Sequence, residues 1–329
     1  MKTYSLYRHR SAVLIAIFIT LIILAAVRVL VGSTSWGWPQ DIRVRDYRLF
    51  RLGIACVVGA SLATSGVALQ ALLRNALAEP FILGLSTGAG VGIMGLTLIG
   101  RTFDLTLGAH YGAMIGAALT LTIVFMASRR QGVIDPLGLL LIGVVLSTIN
   151  GGIILLLNYL PHSEGLWENV AKWMVGYIQE GVSPTVFMGV ALLSGVGISL
   201  LLVLGRAMDV ATLSDDEAQS VGVNLKTLRA LLFIIASILA AGAVILAGPI
   251  AFVGLICPHI VRMLIGPRHR PLLIGAAAMG AALIIVADML SASLKLVLDR
   301  GLMPLGVFTA ILGGISFLWI LRPKLGREI

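Results

Sequence analysis

The chain has 329 residues, of which 58% are hydrophobic and 12% are charged, and its mean hydropathy is +1.02. Soluble domains carry about 45–50% apolar and about 25% charged residues, so this composition excludes a soluble globular protein and predicts an all-α polytopic membrane protein. The net charge of +9 is also found in nucleic-acid-binding proteins, but in a membrane protein excess Lys and Arg marks cytoplasmic loops, and we expect no nucleic-acid partner.

Ten apolar stretches follow one another along the chain, each near the roughly 20 residues that a bilayer requires. The predicted spans are 12–32, 52–73, 81–99, 109–127, 137–158, 185–204, 228–248, 250–265, 272–291 and 304–321. The apolar run of the first span is longer than the core of a cleavable signal peptide, so we expect it to remain uncleaved. An even number of spans places both termini on one side of the membrane.

The distribution of basic residues predicts which side that is. With the N-terminus inside, the cytoplasmic segments hold fifteen of the 24 Lys and Arg residues, and the external segments hold eight. This bias agrees with the positive-inside rule and predicts cytoplasmic termini. Half of the external charges form one cluster before the second span, at Arg43, Arg45, Arg48 and Arg51.

Two rows of glycines at four-residue spacing indicate closely packed helices. They are Gly84, Gly88 and Gly92, and Gly108, Gly112 and Gly116. We assign both rows to packing rather than to a ligand.

The segment 213–222, LSDDEAQSVG, places three consecutive acids between the sixth and seventh spans. Ser214 and Glu217 have the spacing of a capping box, and acids are favoured in a first helical turn by the helix dipole. Gly222 supplies a stop. The pattern predicts a separate capped helix of about two turns on the cytoplasmic side, suited to docking a partner. We expect its apolar residues to face one side; they are Leu213, Ala218 and Val221.

Catalytic and metal-binding patterns are not found in the sequence. The segment 90–95, GVGIMG, matches GxGxxG but lies within an apolar span and follows no strand, so it does not predict a dinucleotide site. No lysine follows a glycine, which excludes a Walker A motif, and the five histidines lack metal-ligand spacing. We predict no catalytic residue, no metal and no cofactor.

One ionisable residue near a span end, Asp288, is a functional candidate by default. It lies near the outer end of the ninth span, where we expect it to reach interfacial water, and a structural role at the helix end is as good an interpretation as transport. An ion-coupled secondary transporter would need such buried carboxylates, and Asp288 is the one candidate. An integral-membrane enzyme is a third class, but it would need a nucleophile or metal cluster.

Several segments together resemble the permease subunits of bacterial ABC importers for iron-siderophores, haem and vitamin B12. These segments are GASLATSGVALQALLRNALAEPFILGLSTGAG at 59–90, WMVG at 173–176, LSDDEAQSVG, GPIAFVGLICPHIVR at 248–262, GPRHR at 266–270 and PLGVFTAILGG at 304–314. The resemblance implies one permease domain over 1–329 with ten helices, the type II ABC importer architecture, in a bacterial cytoplasmic membrane. It also implies three partners: a second permease subunit, identical or different, two ATPase subunits, and an external substrate-binding protein.

The resemblance also assigns roles to particular residues. The helix at 213–222 becomes the coupling helix that contacts the ATPases, through Leu213, Ser214, Asp215, Asp216, Glu217, Ala218, Val221 and Gly222. The RLFR motif at 48–51 implies that Arg48 and Arg51 dock the binding protein. Ala292 replaces an arginine frequent in the family, so that docking contact is expected either to move to Lys295, one helical turn on, or to be made by a second, different permease subunit that carries the arginine. The substrate path is expected along Ser147, Thr148, Asn150 and Thr309.

The expected function is therefore import of an iron chelate, such as a siderophore or haem, or of a related metal complex. A cobalamin importer of the same family is the alternative, and an ion-coupled secondary transporter is a weaker one. ATP hydrolysis is expected on a separate subunit.

Overall fold

The computed structural model describes residues 2–32, 35–105, 108–130, 132–179, 181–298 and 302–325. Within these residues the chain forms twelve α-helices, a short 3₁₀-helix (Pro80–Leu83) and a hairpin of two strands, β1 (Arg129–Arg130) and β2 (Val133–Ile134). The helices are α1 (Lys2–Leu30), α2 (Ile42–Leu73), α3 (Leu85–Thr102), α4 (Ala109–Ala127), α5 (Pro136–Asn158), α6 (Leu166–Met174), α7 (Pro184–Val210), α8 (Asp215–Ser220), α9 (Leu225–Ala247), α10 (Val253–Ile265), α11 (His269–Leu298) and α12 (Leu305–Leu325).

Each of the ten predicted spans coincides with a helix. Seven of the described helices, α1, α2, α4, α5, α7, α9 and α11, contain a stretch long and apolar enough to cross a membrane, and α10 contributes a shorter apolar segment, as does α12. The all-α, polytopic prediction is confirmed. Helices α6 and α8 are short additions; α8 is the capped helix expected from the sequence, whereas α6 and the hairpin were not predicted.

The third and eighth spans were predicted to begin several residues before their helices do, and a left-handed backbone conformation explains both differences. The third span was predicted to begin at 81, but Gly84 (φ 77°) separates the 3₁₀-helix from α3. The eighth was predicted to begin at 250, but α10 begins at Val253 because Phe252 adopts φ 70°. The carboxylate of Glu79 accepts a hydrogen bond from the Phe252 amide (3.0 Å), which stabilises this turn.

Helix α2 is the central element of the bundle. Residues 61–73 are all buried, and α2 packs along α7, α9, α10 and α11. Small residues allow this contact: a side chain at Gly66 would overlap the carbonyl oxygen of Gly254. Lipid offers helices no hydrophobic reason to associate, so close van der Waals packing supplies much of the attraction.

The two glycine rows bring α3 and α4 together, as predicted. A side chain at Gly92 would overlap the carbonyl oxygen of Gly112, and one at Gly116 would overlap that of Gly88. The packing interpretation is confirmed for these four glycines. Gly84 instead faces Ser147 and Thr120.

Candidate functional site

Helix α8 is held by the capping box that the sequence predicted. The Ser214 hydroxyl accepts a hydrogen bond from the Glu217 amide (3.3 Å), and the Ser214 amide donates to the Glu217 carboxylate (3.0 Å). The Ser214 hydroxyl also donates to the Glu217 carboxylate (2.7 Å), and this hydrogen bond, together with the one from the Ser214 amide, lowers the pKa of Glu217. The helix itself covers six residues, Asp215–Ser220, and is shorter than the predicted 213–222 because those limits include both caps.

Asp215 fastens α8 to two membrane-spanning helices. Its carboxylate accepts two hydrogen bonds from the Arg229 guanidinium on α9 (2.9 and 3.0 Å) and forms an ion pair with Arg74 (2.6 Å), the C-cap residue of α2. Arg74 also donates to the carbonyl of Ala211, just before α8. These charge-assisted hydrogen bonds therefore connect α8 to α2 and α9.

The apolar residues of this segment face two directions, so the prediction of a single apolar side was wrong. Ala218 is fully buried against the bundle, whereas Leu213 and Val221 are 45% and 66% exposed. Leu213 precedes the N-cap and Val221 follows the last helical residue, so turns, not helical periodicity, set their directions. Ala218 packs α8 against the bundle, and the side chains of Leu213 and Val221 form an exposed apolar surface.

The opposite end of α2 carries a buried ionic cluster. Arg51 lies 23 residues before Arg74, which is about 35 Å along a helix. Asp288 on α11 receives hydrogen bonds from Arg51 (2.8 Å) and from Arg28 on α1 (2.6 Å). Asp288 is 0% exposed, so the expectation that it reaches interfacial water was wrong. Of the two interpretations of Asp288, these contacts support the structural role rather than a role in transport.

The two arginines predicted to dock the binding protein are buried in the structure. Arg48 and Arg51 are 4% and 5% exposed. Arg48 donates to the carbonyls of Val29, Gly37 and Ser35, because a guanidinium removed from water must satisfy its donors within the protein. Docking by these two residues remains a prediction, against which this arrangement argues.

The other members of the external charge cluster, and the third predicted docking residue, Lys295, are less buried. Arg43 and Arg45 lie at the start of α2. Arg43 is exposed, and the Arg45 side chain is 42% exposed. Lys295, in the last turn of α11, is half-buried, and Ala292 is 2% exposed beside the ionic cluster. Lys295 therefore remains a docking candidate.

The predicted path residues are not all on an open surface. Asn150 is buried and donates to the hydroxyls of Thr87 and Thr120, so it ties α5 to α3 and α4. Thr309 is 1% exposed. The burial of these two side chains argues against an open path at their positions, and their role in the path remains a prediction. Ser147 is half-buried and Thr148 is exposed, and both remain candidates.

Sequence reasoning missed three basic residues that complete these sites: Arg28, Arg74 and Arg229. The signal for Arg28 was an arginine near the end of an apolar span, which requires a buried partner. Arg229 lies near the start of α9, the helix that follows the acidic segment, whereas Arg74 is far from that segment along the chain and gave no local signal. Within the described residues, no group of three or more His, Cys, Asp or Glu side chains is arranged to hold a metal ion.

Known proteins share this architecture over nearly the whole chain. A solved metal-chelate type ABC transporter in an inward-facing conformation superposes with a TM-score of 0.80 and 28% sequence identity, covering 95% of this chain and 99% of that chain. The hemin transport system permease protein of Yersinia pestis is 37% identical over 86% of this chain and 84% of its own length. The vitamin B12 import system permease protein of Vibrio cholerae is 34% identical over 96% and 94%.

A sequence model of the FecCD transport family matches residues 12–323. The resemblance deduced from the motifs is thereby confirmed, and the chain belongs to the FecCD transport family.

Proposed function

We propose that this chain is the membrane-spanning subunit of an ATP-binding-cassette importer that moves an iron chelate, such as haem or a siderophore, across the cytoplasmic membrane. It works with a second permease subunit, two ATPase subunits and a substrate-binding protein. Both termini and α8 lie in the cytoplasm, as the positive-inside rule favours. The relatives named for hemin and for vitamin B12 both carry bulky metal complexes, which supports this substrate class. Cobalamin is the second candidate substrate.

The anchoring of α8 is the observation that carries the proposal. Helix α8 has its own capping box and is bonded through Asp215 to α2 and α9. Leu213 and Val221, which flank the helix, are exposed. An ATPase that binds the exposed apolar residues is therefore connected, through the ionic contacts of Asp215, to helices in the bundle. A solvated connector would need neither the cap nor the ionic anchor.

An ion-coupled secondary transporter is disfavoured by the surroundings of Asp288. Coupling to an ion requires a carboxylate that can release its partner and bind the ion. Asp288 is bound by two guanidiniums and has no exposed surface. Exchange of those arginines for a monovalent cation would leave two buried positive charges without a counter-charge.

The experiment is to co-express the chain with an ATPase and a binding protein encoded in the same genome. Leu213→Asp and Val221→Asp place a charge on the exposed surface without disturbing buried packing. We expect each variant to insert normally but to lose stable association with the ATPase, measured by co-purification. Thr227→Asp, an exposed position in the first turn of α9, adds the same charge outside α8 and is the control.

Normal association of both α8 variants with the ATPase would refute the coupling role. Loss of association in the Thr227 control as well would mean that added negative charge, not α8, is responsible.

A further inference from the structure

A cleft of about 740 Å³ opens between α8, the start of α9 and the β-hairpin. We call it the basic cleft, because its charged lining residues are Arg130, Lys226, Arg229 and Asp215. The Asp215 carboxylate is already shared by Arg229 and by Arg74. Within the described part of the chain, Arg130 and Lys226 have no ion-pair partner, and both are exposed. The basic cleft therefore has unbalanced positive charge.

Two further features of the basic cleft favour an anion. The first residues of α9, Leu225 and Lys226, form part of its wall, and the N-terminus of a 23-residue helix attracts negative charge. The Lys226 ammonium lies against the hairpin turn at Gly132, so it is held over the cleft rather than directed away from it.

An apolar surface leads along α4 to the hairpin. Leu119, Ile123 and Met126 are 59%, 49% and 68% exposed and lie at i, i+4 and i+7, which is one face of a helix. Arg129 follows immediately and stacks over the ring of Phe125 (4.0 Å). The hairpin thus follows the end of a membrane-spanning helix.

We propose that the basic cleft binds the phosphate of an anionic phospholipid, with the acyl chains against the exposed face of α4. Cations above an exposed apolar surface match a phospholipid, whereas a soluble phosphate would gain nothing from that surface. Basic residues at a cytoplasmic membrane surface attract anionic lipids. Because Asp215 and Arg229 also line the cleft, the bound headgroup lies beside the anchor of α8.

The test compares spin-labelled phosphatidylglycerol with spin-labelled phosphatidylcholine in vesicles of phosphatidylcholine that contain the assembled complex. We expect the wild type to immobilise the anionic lipid preferentially. Arg130→Gln and Lys226→Gln should each reduce that preference about fivefold, and the double variant about thirtyfold, since each cation contributes about 1 kcal/mol. Arg206→Gln, an exposed arginine near the end of α7 that does not line the cleft, should retain it.

Three results would overturn the proposal. One is an unchanged preference in the double variant, and another is an equal loss in Arg206→Gln, which would indicate general surface charge. The third is a preference that the permease shows without the ATPase but loses in the assembled complex, or that is lost when inorganic phosphate is added, because the occupant would then be a protein segment or a free anion. Since the readout is lipid immobilisation, it does not depend on the transported substrate.

Discussion

Removal of the Asp288 carboxylate should destabilise the bundle more than any other single loss of charge in the described chain. The proposed change is Asp288→Asn, which keeps the size of the side chain. In the wild type, the carboxylate accepts from Arg28 at 2.6 Å and from Arg51 at 2.8 Å, and all three residues are at most 5% exposed. The variant leaves two buried guanidiniums facing each other without a counter-charge.

The expected magnitude follows from this burial. Removing one partner of a buried ion pair costs about 3–5 kcal/mol. That loss raises the unfolding equilibrium constant roughly 100- to 5,000-fold. Asp46→Asn is the matched control, because the Asp46–Arg45 pair has side chains 63% and 42% exposed, and such surface pairs contribute about 0–1 kcal/mol.

The assay is equilibrium unfolding of the purified chain in mixed detergent micelles, followed by helical circular dichroism. We expect Asp288→Asn to unfold at much lower denaturant than Asp46→Asn. Combining Asp288→Leu with Arg28→Met and Arg51→Met should recover stability, since a well-packed apolar replacement of a buried ionic cluster is often neutral or stabilising. Equal stability of Asp288→Asn and Asp46→Asn would refute the assigned role of the cluster.

Three other predictions concern packing and the cap. Gly92→Ala should lower the free energy of unfolding by about 1–3 kcal/mol, because the added methyl group overlaps the Gly112 carbonyl. Gly95→Ala has open space at its position and should be neutral or slightly stabilising. Thermal unfolding of the two variants compares them. Ser214→Ala should cost α8 about 1 kcal/mol, measured as faster hydrogen exchange of its amides. The lowered pKa of Glu217 means that its capping contribution is present above its unfolded pKa of about 4.3 and is lost as the pH falls through the folded value. Exchange protection of α8, corrected for intrinsic rates, should therefore fall on acidification in the wild type but not in Glu217→Gln.

Features that depend on nearby residues were predictable from the sequence. The capping box joins Ser214 to Glu217, three positions apart, and its residue types are sufficient to identify it. The spans follow from composition over about 20 residues. The glycine rows indicated close packing, although the sequence did not state that Gly92 would meet Gly112.

Features that depend on distant residues were not predictable in the same way. Arg28 and Asp288 are 260 residues apart, and nothing local specifies their pairing. The burial of Arg48 depends on carbonyls from a preceding segment, so an arginine that looked like a surface charge is enclosed. The left-handed conformation of Phe252 could not be predicted from its residue type, since that conformation is uncommon outside glycine, Asn and Asp.

Uptake by the reconstituted complex tests the central claim most directly. The chain and its ATPase would be placed in proteoliposomes with the binding protein, which is loaded in turn with haemin, a ferric siderophore and vitamin B12. We predict uptake of one of these complexes that requires ATP and is lost in the Leu213→Asp, Val221→Asp double variant. Uptake that proceeds on an ion gradient without ATP, or at full rate in that double variant, would contradict the account.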